Sequence, residues 1–464
     1  MDSNVKFIVA SGVLSGLLAK AVLRGMGILE IATMFVCLAF VVPEILIRLR
    51  FFAFLSVNRD ESIEFPTKNV KGDMYKYLYN HKAVNIRSIQ KRYGLSDLFW
   101  YFLAPAHAIH QEHTEASDIR YKITSNLTRK ICAVSKSNLQ NLAKKYVLPV
   151  LSEQNLKTID TERRHGGHFV RLRSIFFPIF ERVMFELVFE KELPEDLNRI
   201  LCASAENVIE ALKGGVLRDM NKRNRLTVEI ERLLIKNQKT LQLDSRLSSK
   251  EWALFLQGVV FTTAVVQLSE GAAHIGIALA QHPHVMSDLR SSKEKNLPYY
   301  VVDEVLRLWP LFGDAHRMAS EDIKIPNAKK GEIEMIKKGT VLIFNYPDFH
   351  KSETKFTNIN TFDPMRWKTL KKRDLNYIPF GVRKNRPCPG ARISRHLLAS
   401  VVEEFASNCE ITSVVEHSRS LPCGGIATLK PRGEKTFLWT TLFMYAYVLV
   451  DTLSMSFWQL VCGV

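Results

Sequence analysis

The chain has 464 residues, 47% of them hydrophobic and 24% charged, and its 64 Lys+Arg against 47 Asp+Glu give a formal net charge of +17. That length points to one large catalytic domain with accessory segments, and the charge raises nucleic acid, an anionic membrane and an acidic protein as partners. Nucleic acid is set aside on motifs, because there is no C-x-x-C pair, no zinc-ligand spacing, no RNP-like aromatic strand and no long arginine block.

At the N-terminus, Phe7–Leu18 and Gly27–Ile47 are almost continuously apolar, with Lys20 and Arg24 between them and Arg48 and Arg50 just after. The second run is long enough to cross a hydrocarbon core of about 30 Å. Its basic flank would keep the downstream chain in the cytosol. An uncleaved membrane anchor over 1–50 is therefore expected, against a cleaved signal peptide or a buried helix as alternatives. From Val57 to Arg432 amphipathic helical stretches alternate with short β-like runs, and Gly/Pro punctuation becomes denser after Pro298. This predicts one mainly α domain over 51–435 with small β-sheets late in the chain. The seven cysteines (Cys37, Cys132, Cys202, Cys388, Cys409, Cys423, Cys462) are odd in number and scattered, which is no disulfide framework and suits a reducing compartment. The 436–464 segment is apolar from Phe437 to Val461 but contains Asp451. A carboxylate near the centre of a span costs on the order of 3 kcal/mol, so a span and a helix lying at the interface or packed on the domain both stay open.

Four short stretches carry chemistry. EVLR sets Glu304 and Arg307 on one helix face in the apolar setting YYVVDEVLRLWP, and a buried pair of that kind needs further polar partners. Arg366 in FDPMRW is the candidate third member. PFG (Pro379–Gly381) comes next, and then RPCPG (Arg386–Gly390), where Cys388 stands between two prolines. Such rigid flanks suit a thiolate aimed at a metal from a fixed loop.

The order Glu-x-x-Arg, P-x-R-[FW], Phe-Gly, Arg-x-Cys-x-Gly resembles the signature of cytochromes P450, over about residues 57 to 432. The resemblance implies the family's mainly helical fold with an N-terminal membrane anchor, and haem b (iron protoporphyrin IX) as cofactor. It implies that Cys388 is the axial thiolate of the haem iron, the ligand that favours O–O cleavage, with Phe380 beside it. Gly390 would let the next helix approach the haem closely, and Arg386 would pair with a propionate. Glu304, Arg307 and Arg366 match the triad that braces the cysteine loop. Arg317 matches a further propionate-binding arginine, and His113 and Arg120 in HQEHTEASDIR are candidates for the same role from an early helix. Further implied are NADPH as indirect electron source, a flavoprotein reductase and an endoplasmic-reticulum membrane as partners, and a cytosolic catalytic domain. Lys371, Lys372, Arg373, Arg383, Lys384 and Arg392 would attract the acidic reductase.

The sequence departs from the family pattern in two places. Phe380 lies one residue further from Cys388 than usual, and Lys384 stands where glycine is common. On the distal helix VVFTTAVVQLSEGAAHIGIALAQHP, counting back from Pro283 puts Val266 and Gln267 where an acid and an alcohol normally deliver protons during dioxygen activation. Thr262 and Thr263 are a turn away, so Thr263 and Gln267 are the catalytic candidates. Val260, Thr263, Ala264, Gln267, Leu311–Asp314 and Gly424–Ile426 are expected to line the pocket. Two activities are compatible with this helix. The favoured one is a monooxygenase acting on a lipophilic small molecule in specialised or lipid/terpenoid metabolism; the alternative is an isomerase or dehydratase acting on an oxygenated lipid without a reductase.

Overall fold

The computed structural model describes residues 67–70, 77–78, 81–84, 119–152, 169–212, 219–237, 241–311, 314–327, 332–372, 375–381, 387–417, 421, 424–434 and 438–462. The anchor expected over 1–50, together with His113, Arg373, Arg383, Lys384 and Arg386, lies outside them. Glu61–Met455 forms one compact unit; Met1–Asp60 and Ser456–Val464 form another, of which the described part is the end of the last helix.

The helices in chain order are α1 (Ile119–Cys132), α2 (Lys136–Tyr146), α3 (Leu172–Phe189), α4 (Glu195–Leu212) and α5 (Met220–Lys236). After them come α6 (Ser249–Gln281), α7 (Pro283–Ser291), α8 (Leu297–Leu308), α9 (Tyr346–Lys351), α10 (Ala391–Asn408) and α11 (Leu438–Cys462). Their dominance, with most strands after residue 314, is the mainly α architecture the sequence pattern indicates.

Helix α6 organises the core. It opens on a capping box, in which the Glu251 N–H donates to Ser248 Oγ at 3.2 Å and the Ser248 N–H to Glu251 Oε2 at 2.7 Å. It then winds as a π-helix over Leu256–Ala264 before resuming α geometry at Val265. By length and apolarity it could cross a membrane, yet it is buried inside the domain along most of its course, as a core helix is. Helix α3 packs along it, with the Phe185 and Phe189 rings centred 6.3 and 6.4 Å from that of Phe261. The approach is close at Gly276, where a Cβ would stand 2.8 Å from Leu172 Cδ1 and 3.2 Å from Phe405 Cζ, so glycine lets α3 and α10 meet α6 there without displacing those side chains.

A polar network crosses this apolar contact. Arg173 Nη1 donates to Glu270 Oε2 at 2.7 Å, and the Leu421 N–H donates to Glu270 Oε1 at 3.1 Å. Burial alone would raise the Glu270 pKa, but the Arg173 guanidinium above all, with the Leu421 N–H, lowers it. His274 Nδ1 lies 3.0 Å from His417 Nδ1, and the His417 ring stacks on Trp309. Burial pushes His274 down to about 4 and His417 to about 2, so both rings are neutral at pH 7.

Among the described residues, three small sheets complete the fold. β1 (Thr67–Asn69) runs parallel to β6 (Val341–Asn345), which pairs antiparallel with β3 (Asp314–Met318) in the register Arg317 opposite Leu342. β4 (Ile323–Asn327) and β5 (Glu332–Ile336) form a hairpin. β2 (Val170–Arg171), β8 (Ile426–Pro431) and β7 (Cys409–Thr412) form the third sheet in that order, delivering the chain into α3 and out of α10.

Candidate functional site

Cys388 sits at the foot of α10, on a loop closed by its own N–H, which donates to the Phe380 carbonyl at 2.8 Å. The turn that makes this possible needs Gly381, whose φ of +94° is the left-handed region that residues with a Cβ avoid. Gly390 caps α10, and a Cβ built on it would lie 3.7 Å from Cys388 Sγ, so its absence leaves the space beside the sulfur open. Of Cys132, Cys202, Cys388 and Cys409, only Cys388 is exposed. Burial pushes the Cys132 thiol up to about 11, with the nearby Cys388 adding to the effect. Burial likewise pushes Cys409 to about 12 and Cys202 higher still, so these three are poor thiolates.

The Glu304 carboxylate, fully buried on α8, accepts five hydrogen bonds. Arg307 Nε and Nη2 donate at 2.9 and 2.8 Å, Arg366 Nε at 3.0 Å, Trp367 Nε1 at 2.9 Å and the Asp363 N–H at 3.0 Å. The arginines spend their other N–H groups on carbonyls, Arg307 on Ile359 and Thr361 and Arg366 on Thr357 and Thr361, while the Arg366 Nε–H is shared between Glu304 and the Asp363 carbonyl. Burying a carboxylate is tolerable only with such complete pairing. The structure thus brings Glu304, Arg307 and Arg366 together, and adds Trp367.

Sequence reasoning missed the ties from this lattice to the cysteine loop. His350, fully buried on α9, hydrogen-bonds the Arg307 carbonyl through Nδ1 at 3.1 Å and accepts the Ile378 N–H on Nε2 at 2.9 Å. These two bonds fix the tautomer with its proton on Nδ1. Ile378 is the residue before Pro379-Phe380, so α8 reaches the Phe380 carbonyl through one imidazole. Burial holds His350 at about 3. Asp303, beside Glu304, binds Arg395 of α10 through Nε at 3.0 Å and Nη2 at 2.7 Å and accepts from the Tyr377 hydroxyl at 3.3 Å. Tyr299 and His396 join the same two helices at 2.6 Å.

The other candidates are more dispersed. Arg317 is buried on β3. Arg120 begins α1, half-buried, with its charge within reach of Glu251. Thr263, in the π segment, donates its hydroxyl to the Gly258 carbonyl at 2.7 Å, whereas Gln267 Oε1 is buried without a hydrogen-bond partner. Gly424 and Gly425 do not join this stretch: a Cβ on Gly424 would meet Arg173, and one on Gly425 would meet Leu421 and Ala273, further along α6 than Gln267. Two of the basic residues expected on a docking patch have local partners as well. Lys372 is half-buried and ion-paired with Asp303, and Arg392 donates to the Val134 and Cys132 carbonyls at the end of α1.

Comparison with known proteins agrees with these motifs. The family model described as Cytochrome P450 matches residues 269–435, which include every described member of the Glu304 lattice and Cys388. The chain is 26% identical over 231 residues to cytochrome P450 3A12 of Canis lupus familiaris, covering 44% of each. It is 27% identical over 281 residues to cytochrome P450 6a2 of Drosophila melanogaster, covering 55% of this chain and 53% of the relative. The chain thus spans about half the length of the curated relatives it matches. Among solved structures, cytochrome P450SP alpha in complex with (R)-ibuprophen superposes with a TM-score of 0.60 at 14% identity, over 79% of this chain and 91% of that one. A variant of cytochrome P450 OleT in complex with arachidonic acid gives 0.59 at 16%, over 79% and 90%. At these identities the superpositions speak for the fold. Family match, relatives and fold point the same way: residues 269–435 match the cytochrome P450 model, and the chain is similar in sequence and fold to cytochromes P450.

Proposed function

We propose that this protein is a haem-thiolate monooxygenase that oxidises a lipophilic small molecule, in specialised or lipid/terpenoid metabolism, with electrons from NADPH through a flavoprotein reductase at the endoplasmic-reticulum membrane. The observation that carries the reading is the Cys388 thiol, exposed on a loop whose closing hydrogen bond is tied through His350 to the buried Glu304 lattice. The residues fit a haem: a thiol with open space beside it at Gly390, a buried Arg317 for a propionate, and a buried acceptor at Gln267 Oε1 with its hydrogen-bonding capacity unspent. Arg386, His113 and Arg120 are the further propionate candidates.

Bound haem supplies the dioxygen chemistry, and the Cys388 thiolate tunes it. The protein's own part is positional. Glu304, Arg307 and Arg366 hold the segment 357–367, while His350 and Asp303 hold the approach to Phe380 and the first turns of α10, so the sulfur has one place to be. Gln267 Oε1, buried with its acceptor unspent, would accept a hydrogen bond from a water or a substrate hydroxyl and so hold a proton donor.

A specific observation favours the second reading, an isomerase or dehydratase working without a reductase. Val266 and Gln267 replace the acid and alcohol, and the nearest threonine hydroxyl, Thr263, is committed to Gly258. Incubating holoprotein with candidate lipophilic substrates, with and without NADPH and reductase, separates the two. Strict dependence on both is the expected outcome, and turnover with neither overturns the monooxygenase reading in favour of the second.

A further inference from the structure

Helix α11 has the wrong polarity for a helix on a domain surface in water. Thr440 and Met444 are buried and Val448 packs against the main core. Tyr447 accepts from Arg171 Nη2 at 2.6 Å and sets its ring 5.2 Å from Phe169. These positions recur every three or four residues and form the one stripe that docks on the domain. The outward positions should then be charged. Instead they are Trp439, Leu442, Phe443, Tyr445, Leu449 and Val450, exposed by 73, 47, 59, 58, 59 and 66%. No charged residue occurs from Leu438 to Val450.

A contiguous apolar face of this kind marks a partner surface. Its aromatic mix of Trp and Tyr among Leu, Phe and Val suits the boundary between lipid headgroups and acyl chains. The charge nearby is complementary to an anionic leaflet. Lys430 and Arg432 lead toward the helix and Arg171 flanks it, against Glu434 alone on the acidic side of that approach, in a chain of net charge +17. A helix crossing the bilayer would have to strip Met444 and Tyr447 from their domain contacts, whereas a helix lying in the membrane plane keeps them.

We propose that α11 is an interfacial membrane helix: its Thr440–Met444–Val448 stripe stays docked on the domain while the Trp439–Phe443–Val450 face inserts among the lipids of an anionic leaflet. This holds the domain against the bilayer whichever reaction the site performs.

The full-length holoprotein, bound to phosphatidylcholine/phosphatidylserine vesicles whose acyl chains carry bromine at a shallow or a deep position, tests this locally. The fluorescence difference between the native protein and Trp439→Phe isolates Trp439, so membrane binding by other segments does not imitate the signal. The expected result is that Trp439 loses most of its emission in brominated vesicles. A second reporter, Val450→Trp in the Trp439→Phe background, lies eleven residues on and on the same face, about 16 Å along the helix axis. An in-plane helix gives both reporters maximal quenching by the same bromine position. Maximal quenching at different depths means a span and overturns the proposal. Absence of quenching also overturns it, and self-association of the native protein that Phe443→Lys abolishes would then assign the face to a second copy of the chain.

Discussion

Glu304 on α8 accepts five hydrogen bonds from four residues, whereas Gln267 Oε1 on α6 is equally out of water and accepts none. The first group is an ion taken out of water, and it persists only because every lone pair is occupied by a donor fixed from elsewhere. The second is a neutral amide whose acceptor stays available. On the proposed reading, the side of the site that must hold still is over-determined, and the side that must receive something keeps its valence open. The Cys388 loop belongs to the first kind, since its N–H bond to Phe380 is backed by His350 and Asp303. The stretch Thr263–Gln267 belongs to the second.

The contrast can be broken most severely at Glu304. Glu304→Ala leaves Arg307 and Arg366 buried without a counter-charge and should cost about 3–5 kcal/mol, read as a loss of folded holoprotein in denaturant titration. His350→Phe keeps the ring volume but orphans the Ile378 N–H and the Arg307 carbonyl, at roughly 1–3 kcal/mol for each group. It should loosen haem retention as well as stability, because it cuts the link to the cysteine loop. An unchanged rate of haem loss would show that the link does not reach Cys388.

Acid sharpens the same point. His350 is held at about 3 in the folded protein, against about 6.5 unfolded. The unfolded chain therefore takes up the proton first as pH falls. The stabilising contribution is complete above pH 6.5 and is lost progressively from there toward pH 3, at up to about 1.4 kcal/mol per pH unit. His274, held at about 4, acts in the same direction. Denaturation midpoints between pH 7 and 4 should fall less steeply in His350→Gln than in the native chain; parallel slopes would mean that His350 is not the group responsible.

The smallest stability effects belong to α6. Thr263→Val removes one bond to the Gly258 carbonyl, about 1 kcal/mol, and should leave reductase-dependent turnover intact. Gln267→Thr should be near neutral in stability and should change the proportion of reducing equivalents that reach product. A stability loss at Gln267 as large as that at Glu304 would erase the distinction between the two regions.

The pattern was legible where function and structure are compressed into short motifs. Glu304, Arg307, Arg366 and Cys388 each stand in a local arrangement whose residue types make sense only together. His350, Asp303, Tyr377 and Arg395 were not legible, because their partners lie on other elements far along the chain and nothing local distinguishes a bridging histidine from any core histidine. The π segment of α6 is equally silent, since LQGVVFTTA is as apolar as its α-helical continuation. Two members of the basic cluster near the cysteine have specific local partners that a charge count does not reveal: Lys372 pairs with Asp303, and the exposed Arg392 donates to carbonyls at the end of α1. For α11 the sequence left span and packed helix undivided, and the buried stripe at Thr440, Met444 and Val448 is what distinguishes a docked face from a free one.

The central claim is that Cys388, and no other cysteine, is the haem ligand. The absorbance difference spectrum of the reduced, carbon-monoxide-treated holoprotein tests it, with Cys388→Ser and the neighbouring Cys132→Ser compared at matched haem content. The native protein and Cys132→Ser should both show the thiolate-type band, and Cys388→Ser should lack it. A thiolate-type band retained in Cys388→Ser, or lost in Cys132→Ser, would contradict the account.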